Sequence, residues 1–295
     1  MKISGILLGI ALFAGKIADA ADDFSKQIVE ETQLTPSLYM LQGGGGNITA
    51  SIGPDGVLLV DCEFAGMSDK LVTKLKELKG GSPRYIINSH FHYDHSGGNQ
   101  VFGATATIIS ATQTRNRLMK EQILWKKSHP VFPTIALPKL TFEGSIMLHL
   151  NGEEIEAVHF SNGHTDGDTV VFFQKGSVAS LGDLYFAGMY PIFHPEHKGD
   201  LDSYLHNIDL ILKILPDNSQ VVPGHGPLSN KKELDLYRQM IVSSISIVRD
   251  GIKKQMTLEQ IQKRGLPQKW EMFGHGYRTT NQWIQSIYQS IQLSL

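Results

Sequence analysis

The sequence predicts a single α/β domain. Short β-type runs and amphipathic helical stretches alternate along the chain, and no linker, low-complexity tract or obvious repeat divides them. The 295 residues are 41% hydrophobic and 19% charged, close to ordinary soluble proteins, which excludes disorder, collagen and coiled coil as descriptions of the whole. A net charge of -2 gives no field to favour a phosphate backbone or anionic lipid, so nucleic acid is not an expected partner. The only cysteine, Cys62, cannot form an intramolecular disulfide or a cysteine-based zinc site. Twelve histidines leave imidazoles and carboxylates as the available ligands.

Taken in order, residues 1–20 read as a signal peptide. Lys2 precedes the apolar stretch Ile3 to Gly15, and Ala18-Asp19-Ala20 supplies small residues at the two positions a signal peptidase reads, so cleavage is expected before Ala21. The run is well short of the roughly 20 apolar residues a bilayer requires. The expectation is a mature domain of residues 21–295, periplasmic or secreted, without an integral membrane segment.

Gln27 to Glu31, Leu38 to Gln42, Ile48 to Ile52 and Val57 to Asp61 read as an antiparallel meander. Gly43 to Gly46 lacks the Gly-Lys-Ser/Thr of a phosphate loop and reads as a hairpin tip, a candidate flap over a pocket. Residues 67–79 place Leu71, Leu75 and Leu78 on one helical face. Arg84 to Ser89 is a further strand. Helices are predicted at about 111–127 and 201–214, and strands at 142–150, 154–159, 169–174, 178–181 and 220–222. The tail from Lys231 onward reads as largely helical, with apolar stripes that include Leu234, Tyr237, Ile241 and Trp283.

The chemistry-bearing run follows the strand Tyr85 to Ser89. His90-Phe91-His92-Tyr93-Asp94-His95 puts four candidate ligands into six residues. A tight loop at a strand end lets His90 and His92 face one way while Asp94 and His95 reach another, so two metals can share it. Three more candidates, His164, Asp183 and His225, also stand at chain breaks, each with a glycine beside it. His129, His149, His159 and His206 are isolated and read as solvated or core histidines.

His-x-His-x-Asp-His followed by these three candidates resembles the metallo-β-lactamase superfamily, over most of the mature chain from the β-meander ending in Val60-Asp61 to Pro223-Gly224-His225-Gly226. The resemblance implies a four-layer αβ/βα sandwich with metals at the edge between two sheets. It implies two Zn2+ ions, one on His90, His92 and His164 and one on Asp94, His95 and His225, bridged by Asp183. It also implies that Asp61 orients a ligand or the loop. Imidazole and carboxylate suit zinc, and His92 stands where iron-binding flavoprotein relatives typically carry Glu.

The expected chemistry is hydrolysis of a small-molecule substrate. Zinc lowers the pKa of bound water from 15.7 to about 7. The resulting hydroxide is expected to attack an acyl carbon, with Asp94 as the catalytic residue that orients the nucleophile and shuttles its proton. The sequence also departs from named subfamilies. Asp183 stands where the first subclass of zinc β-lactamases uses cysteine, and Phe186 where those enzymes commonly place lysine. Acyl-homoserine lactonases usually carry tyrosine at that place, whereas here Tyr185 is one residue early. The glutathione-contacting segment of glyoxalase II is not recognisable in Leu184 to Pro191. The reading is an exported dinuclear zinc hydrolase, with a β-lactam as the named substrate and a lactone or thioester as the alternative. A non-catalytic metal-binding homologue is the other class, against which all seven ligand positions are filled. Tyr190, in a loop continuing through His194 to His197, is a candidate substrate contact, and Cys62 reads as a small buried hydrophobe.

Overall fold

The computed structural model describes residues 23–124 and 127–293, so the expected signal peptide and its cleavage site lie outside the described residues. The chain opens with β1 (Glu30–Gln33), β2 (Leu38–Gln42), β3 (Ile48–Gly53) and β4 (Gly56–Val60), an antiparallel meander. Helix α1 (Ser68–Glu77) carries the chain across to β5 (Pro83–Asn88), which pairs parallel to β4. The short α2 (Tyr93–Ser96) and α3 (Asn99–Phe102) lead to β6 (Thr107–Ala111). Next come α4 (Thr112–Leu118), a separate hairpin of β7 (Gln122–Leu124) with β8 (Lys127–His129), and β9 (Leu140–Phe142), which completes the first sheet in the order β1-β2-β3-β4-β5-β6-β9.

The second sheet runs β10 (Ser145–Leu150), β11 (Glu153–Phe160), β12 (Asp168–Phe173) and β13 (Val178–Ser180). After α5 (Leu201–Ile214) it adds β14 (Gln220–Val222) and β15 (Ser229–Asn230). The tail supplies α6 (Lys231–Lys253), α7 (Leu258–Arg264), α8 (Gln268–Glu271) and α9 (Thr280–Leu293).

The layering follows from two-residue alternation on strands buried on both faces. Leu58, Val60 and Ile87 of the first sheet pack against Ile155, Val171 and Phe173 of the second, forming the central core. The alternate residues Val57, Leu59 and Ile86 face outward onto Leu71 and Leu75 of α1. On the far side, Val170 and Phe172 pack against Ile208 of α5, Leu234 and Tyr237 of α6 and Trp283 of α9. Helix, sheet, sheet, helix is the four-layer αβ/βα sandwich expected from the sequence. No helix among the described residues is long and apolar enough to cross a membrane.

Several elements differ from expectation. The helix expected over 111–127 is α4 alone, ending at Leu118; Gln122 and Leu124 are buried while Ile123 is exposed, the period of a strand rather than a helix. Strand β6, with its β-branched Thr-Ile-Ile run, lies just before that helix and was missed. The strand expected over 142–150 is broken at Glu143-Gly144, where the chain leaves β9 of one sheet for β10 of the other. The first strand begins three residues late, because Val29 is buried ahead of it and Glu30–Gln33 form an exposed edge.

Candidate metal centre

The seven predicted ligands converge where the ends of β5, β12, β13 and β14 open at one edge of the sandwich. Asp183 sits at their centre. One of its oxygens lies 3.2 Å from His164 Nε2 and 3.7 Å from His90 Nε2, and the other 3.2 Å from His95 Nε2 and 3.4 Å from His225 Nε2. Asp94 lies 3.3 Å from His225 Nε2 and 3.6 Å from His95 Nε2. The ligands form two groups: His90, His92, His164 and Asp183, and beside them Asp94, His95 and His225. All seven are buried.

His92 Nδ1 lies 2.9 Å from both His90 Nε2 and His164 Nε2. His92 Nδ1 can offer at most one proton, so the lone pairs of His90 Nε2 and His164 Nε2 must share it. A cation relieves that arrangement, and the donor set of imidazole nitrogens and carboxylate oxygens fits a divalent transition metal.

The outer ring nitrogens define the tautomers. His164 Nδ1 lies 2.8 Å from the Ile192 carbonyl, which can only accept, so Nδ1 carries the proton and Nε2 keeps its lone pair for the centre. His95 Nδ1 donates in the same way to Asp61 Oδ2 at 2.8 Å. The Ser89 hydroxyl donates to that same Asp61 oxygen at 2.6 Å, which leaves its own oxygen to accept from His90 Nδ1 at 3.0 Å. His225 Nδ1 meets the Tyr277 hydroxyl at 3.2 Å. Asp61 thus touches two of the candidate ligands, His95 directly and His90 through Ser89. Ser89, Ile192 and Tyr277 were not anticipated; Ser89 could have been suspected from its place beside His90, whereas Tyr277 comes from the distant segment before α9.

Electrostatics divides the histidines. Burial holds His90 and His92 well below the ordinary imidazole value and His164 down to about 3, so all three are neutral. Burial acts the same way on His95 and His225, but Asp183 and Asp94 outweigh it, lifting His95 well above its usual value and His225 to about 9. Against the burial that would raise it, Asp183 is held well below the carboxylate range by His225, His95 and His164. Protons on His95 and His225 thus occupy the place a cation would take.

Local backbone chemistry fixes the ligand loops. Asp168 accepts from the His164 N–H at 2.7 Å and from the Thr165 hydroxyl at 2.6 Å, which closes the loop carrying His164. The Gly43 to Gly46 tip is pinned rather than a free flap: the Gly46 N–H donates to the Asp94 carbonyl at 3.0 Å, and the Asn47 N–H to the Gly224 carbonyl at 2.8 Å. A Cβ on Gly46 would lie 2.1 Å from His95 Cε1, and one on Gly224 2.1 Å from Asp183 Oδ1. Only glycine allows these backbones to approach the ligands so closely. Behind the tip, Glu63 is 1% exposed, and burial, then Asp94, pushes its carboxyl up to about 8.

Tyr190 is placed differently from the substrate contact expected of it. It is wholly buried, stacked on Trp283 with ring centroids 5.8 Å apart, and its hydroxyl donates to the Trp270 carbonyl at 2.8 Å. Aromatic packing takes its ring and the carbonyl takes its hydroxyl. The loop it begins does reach the centre, since the His194 ring lies 5.0 Å from that of His92 and 5.2 Å from that of His164. Phe186 stacks on His225 at 5.4 Å. Cys62 is buried with its Sγ 3.2 Å from Asn99 Oδ1, and burial raises its thiol well above the ordinary value, as suits a small apolar filler.

A family model described as the metallo-beta-lactamase superfamily matches residues 41–225. An N-acyl homoserine lactonase of Bacillus cereus is 45% identical over 64 residues, 19% of this chain and 25% of the relative. A hydroxyacylglutathione hydrolase of Pelagibacter ubique is 25% identical over 175 residues, 56% of this chain and 61% of the relative. Each match therefore spans less than two thirds of the relative's length. Among solved structures, a metallo-beta-lactamase from Pontibacter korlensis aligns with a TM-score of 0.61 at 18% identity, covering 72% of this chain and 99% of that one. A stereoselective inverting sec-alkylsulfatase from Pseudomonas sp. aligns at 0.70 with 16% identity, covering 89% and 50%. At such identities these two structures share the fold.

Proposed function

The chain belongs to the metallo-beta-lactamase superfamily, and from that premise we propose that it is an exported zinc-dependent hydrolase that opens an acyl bond of a small molecule. The observation that carries this reading is Asp183, whose two oxygens each face a different group of histidines at 3.2–3.7 Å. His90, His92 and His164 would hold one ion and Asp94, His95 and His225 a second, with Asp183 between them. When bound, zinc supplies an acidified water and a Lewis acid for the substrate oxygen.

The protein's own groups do the rest. Asp61, Ser89 and Ile192 fix the tautomer and angle of His95, His90 and His164, and Tyr277 holds the ring of His225. Asp94, 4% exposed and ionised through His95 and His225 against the pull of burial, is the base that takes a proton from the attacking water at Oδ2. Water adds to the acyl carbon, the bond to the leaving oxygen, sulfur or nitrogen breaks, and the proton held by Asp94 passes to that leaving atom.

Among acyl bonds, a lactone or thioester is favoured over a β-lactam. Phe186 packs on His225 and offers no cation for a carboxylate at the place where zinc β-lactamases commonly carry lysine. The relatives named N-acyl homoserine lactonase and hydroxyacylglutathione hydrolase support the same preference. Residues 1–20 support export, and a mature chain beginning at Ala21, read by intact mass, tests it.

The substrate test is direct. Zinc-loaded protein is incubated with an acyl-homoserine lactone, an acyl thioester and a chromogenic β-lactam, each with and without chelator. Chelator-sensitive opening of the lactone or thioester supports the reading. Opening of the β-lactam alone overturns the preference, and no hydrolysis of any of them removes the acyl assignment.

A further inference from the structure

Beside the deep centre lies a second set of ligand-type side chains that the proposed hydrolysis does not use. The 3-10 turn Pro195–His197 follows His194, and Lys198, in the left-handed region with φ 61°, ends it. This local fold gathers His194, Glu196 and His197, one ligating atom from each lying within 4.8 Å of the others. His194 Nδ1 is 2.9 Å from Glu196 Oε1.

Two further observations point to a ligand. His197 is 4% exposed, and its Nδ1 is buried with no hydrogen-bond partner among the described residues. A hydrogen-bonded His194–Glu196 pair alone would leave that nitrogen stranded, which folded proteins avoid. The three residues also line a cavity of about 1110 Å3 whose wall includes Lys120 and Arg278.

We propose that His194, Glu196 and His197 form a third divalent-cation site, with zinc the best-matched ion, at the wall between the deep centre and this cavity. Two imidazoles and one carboxylate make a three-ligand set that leaves coordination positions for water or a small ligand. The His194 ring lies 5.0 Å from the His92 ring, so an ion here borders the deep centre without sharing a ligand with it. Lys120 and Arg278 on the same wall favour an anionic oxygen as the extra ligand.

The test counts metal and does not depend on turnover. Full-length protein is stripped with chelator, reloaded with Zn2+, dialysed and assayed for zinc per chain, alongside Glu196→Gln and the double variant Glu196→Gln/His197→Ala. The expected result is one zinc ion fewer per chain in the double variant than in the wild type, with unchanged circular dichroism. Zinc contents equal between wild type and double variant overturn the proposal, whatever number the deep centre holds. Should the double variant fail to fold, Glu196→Gln alone decides: its exposed carboxylate is replaced by an isosteric amide, and zinc-edge anomalous diffraction from wild-type and Glu196→Gln crystals reads the site. A wild-type peak among the three residues that is lost or weakened in the variant supports the proposal, and peaks confined to the deep centre contradict it.

Discussion

Asp61 Oδ2 lies 2.8 Å from His95 Nδ1, and the same carboxylate accepts the Ser89 N–H at 2.7 Å and the Ser89 hydroxyl at 2.6 Å. One residue at the end of β4 thus holds His95 directly and His90 through Ser89, candidate ligands from both groups. Its own N–H donates to the Ile87 carbonyl at 2.9 Å, so the β4 and β5 ends are tied together at this point. Asp61→Asn keeps the shape and tolerates the left-handed backbone, φ 67°. The amide can accept on one side only. Zinc affinity is expected to fall by about 10–100-fold with the fold retained, as read by competition with a chromophoric chelator. Ser89→Ala should weaken it less, because the direct bond to His95 survives.

Tyr277 and Tyr190 separate positioning from packing. Tyr277→Phe removes the partner of His225 Nδ1, and about a tenfold loss of zinc affinity with little change in unfolding temperature is expected. Tyr190→Phe removes the bond to the Trp270 carbonyl and the longer contact of the same hydroxyl with Thr280 Oγ1 at 3.4 Å, both away from the candidate ligands. It should cost about 1 kcal/mol of stability and leave hydrolysis and zinc binding unchanged. Thermal melts and zinc titrations of the two variants make the comparison.

Gly46→Ala tests the close approach of the hairpin tip. Its Cβ would meet the His95 ring at 2.1 Å, so either the tip or the ligand must move. A loss of about 1–3 kcal/mol, together with weakened zinc binding, is the expected outcome in urea unfolding and metal analysis. An alanine variant with wild-type zinc affinity would show that the tip is not fixed against His95.

Glu63 gives the metal-free protein a pH dependence. Its carboxyl is pushed from 4.5 up to about 8 in the fold by burial and then by Asp94, so the native state keeps a proton that the unfolded chain releases. Stability from this group is complete below about 4.5, declines as pH rises, and is lost by about 8. Glu63→Gln cannot ionise and should flatten that decline, leaving the variant more stable than wild type above pH 8, by an amount on the order of a few kcal/mol. Urea unfolding of chelator-treated protein across this range measures the slope.

The candidate ligands were legible because they stand near strand ends or, like Asp94 and His95, in the short helix that follows one, and the spacing His-x-His-x-Asp-His fits few other purposes. The four layers were expected through the resemblance that the ligand motif carries, and strands such as Val170 to Phe173, apolar at every position and covered on both faces, agree with them. What orients the ligands was not legible. The contact between His225 and Tyr277 joins the β14 end to the segment before α9, and no local periodicity records a pairing across that distance. Tyr190 misled because a tyrosine shortly after a ligand invites a functional reading, while the aromatic pocket of Trp270, Phe273 and Trp283 that receives it is assembled from the far end of the chain. The hairpin β7–β8 was absorbed into a helix because a stretch that short carries too little alternation to be told from one.

The most direct test of the central claim is the hydrolysis rate of zinc-loaded wild type against Asp94→Asn, each measured before chelation, after chelation and after zinc is restored. Chelation should abolish wild-type turnover and zinc should restore it, while zinc-loaded Asp94→Asn is about 10²–10⁴-fold slower than zinc-loaded wild type with an unchanged fold. Turnover that survives chelation, or an Asp94→Asn rate equal to wild type, would contradict the account.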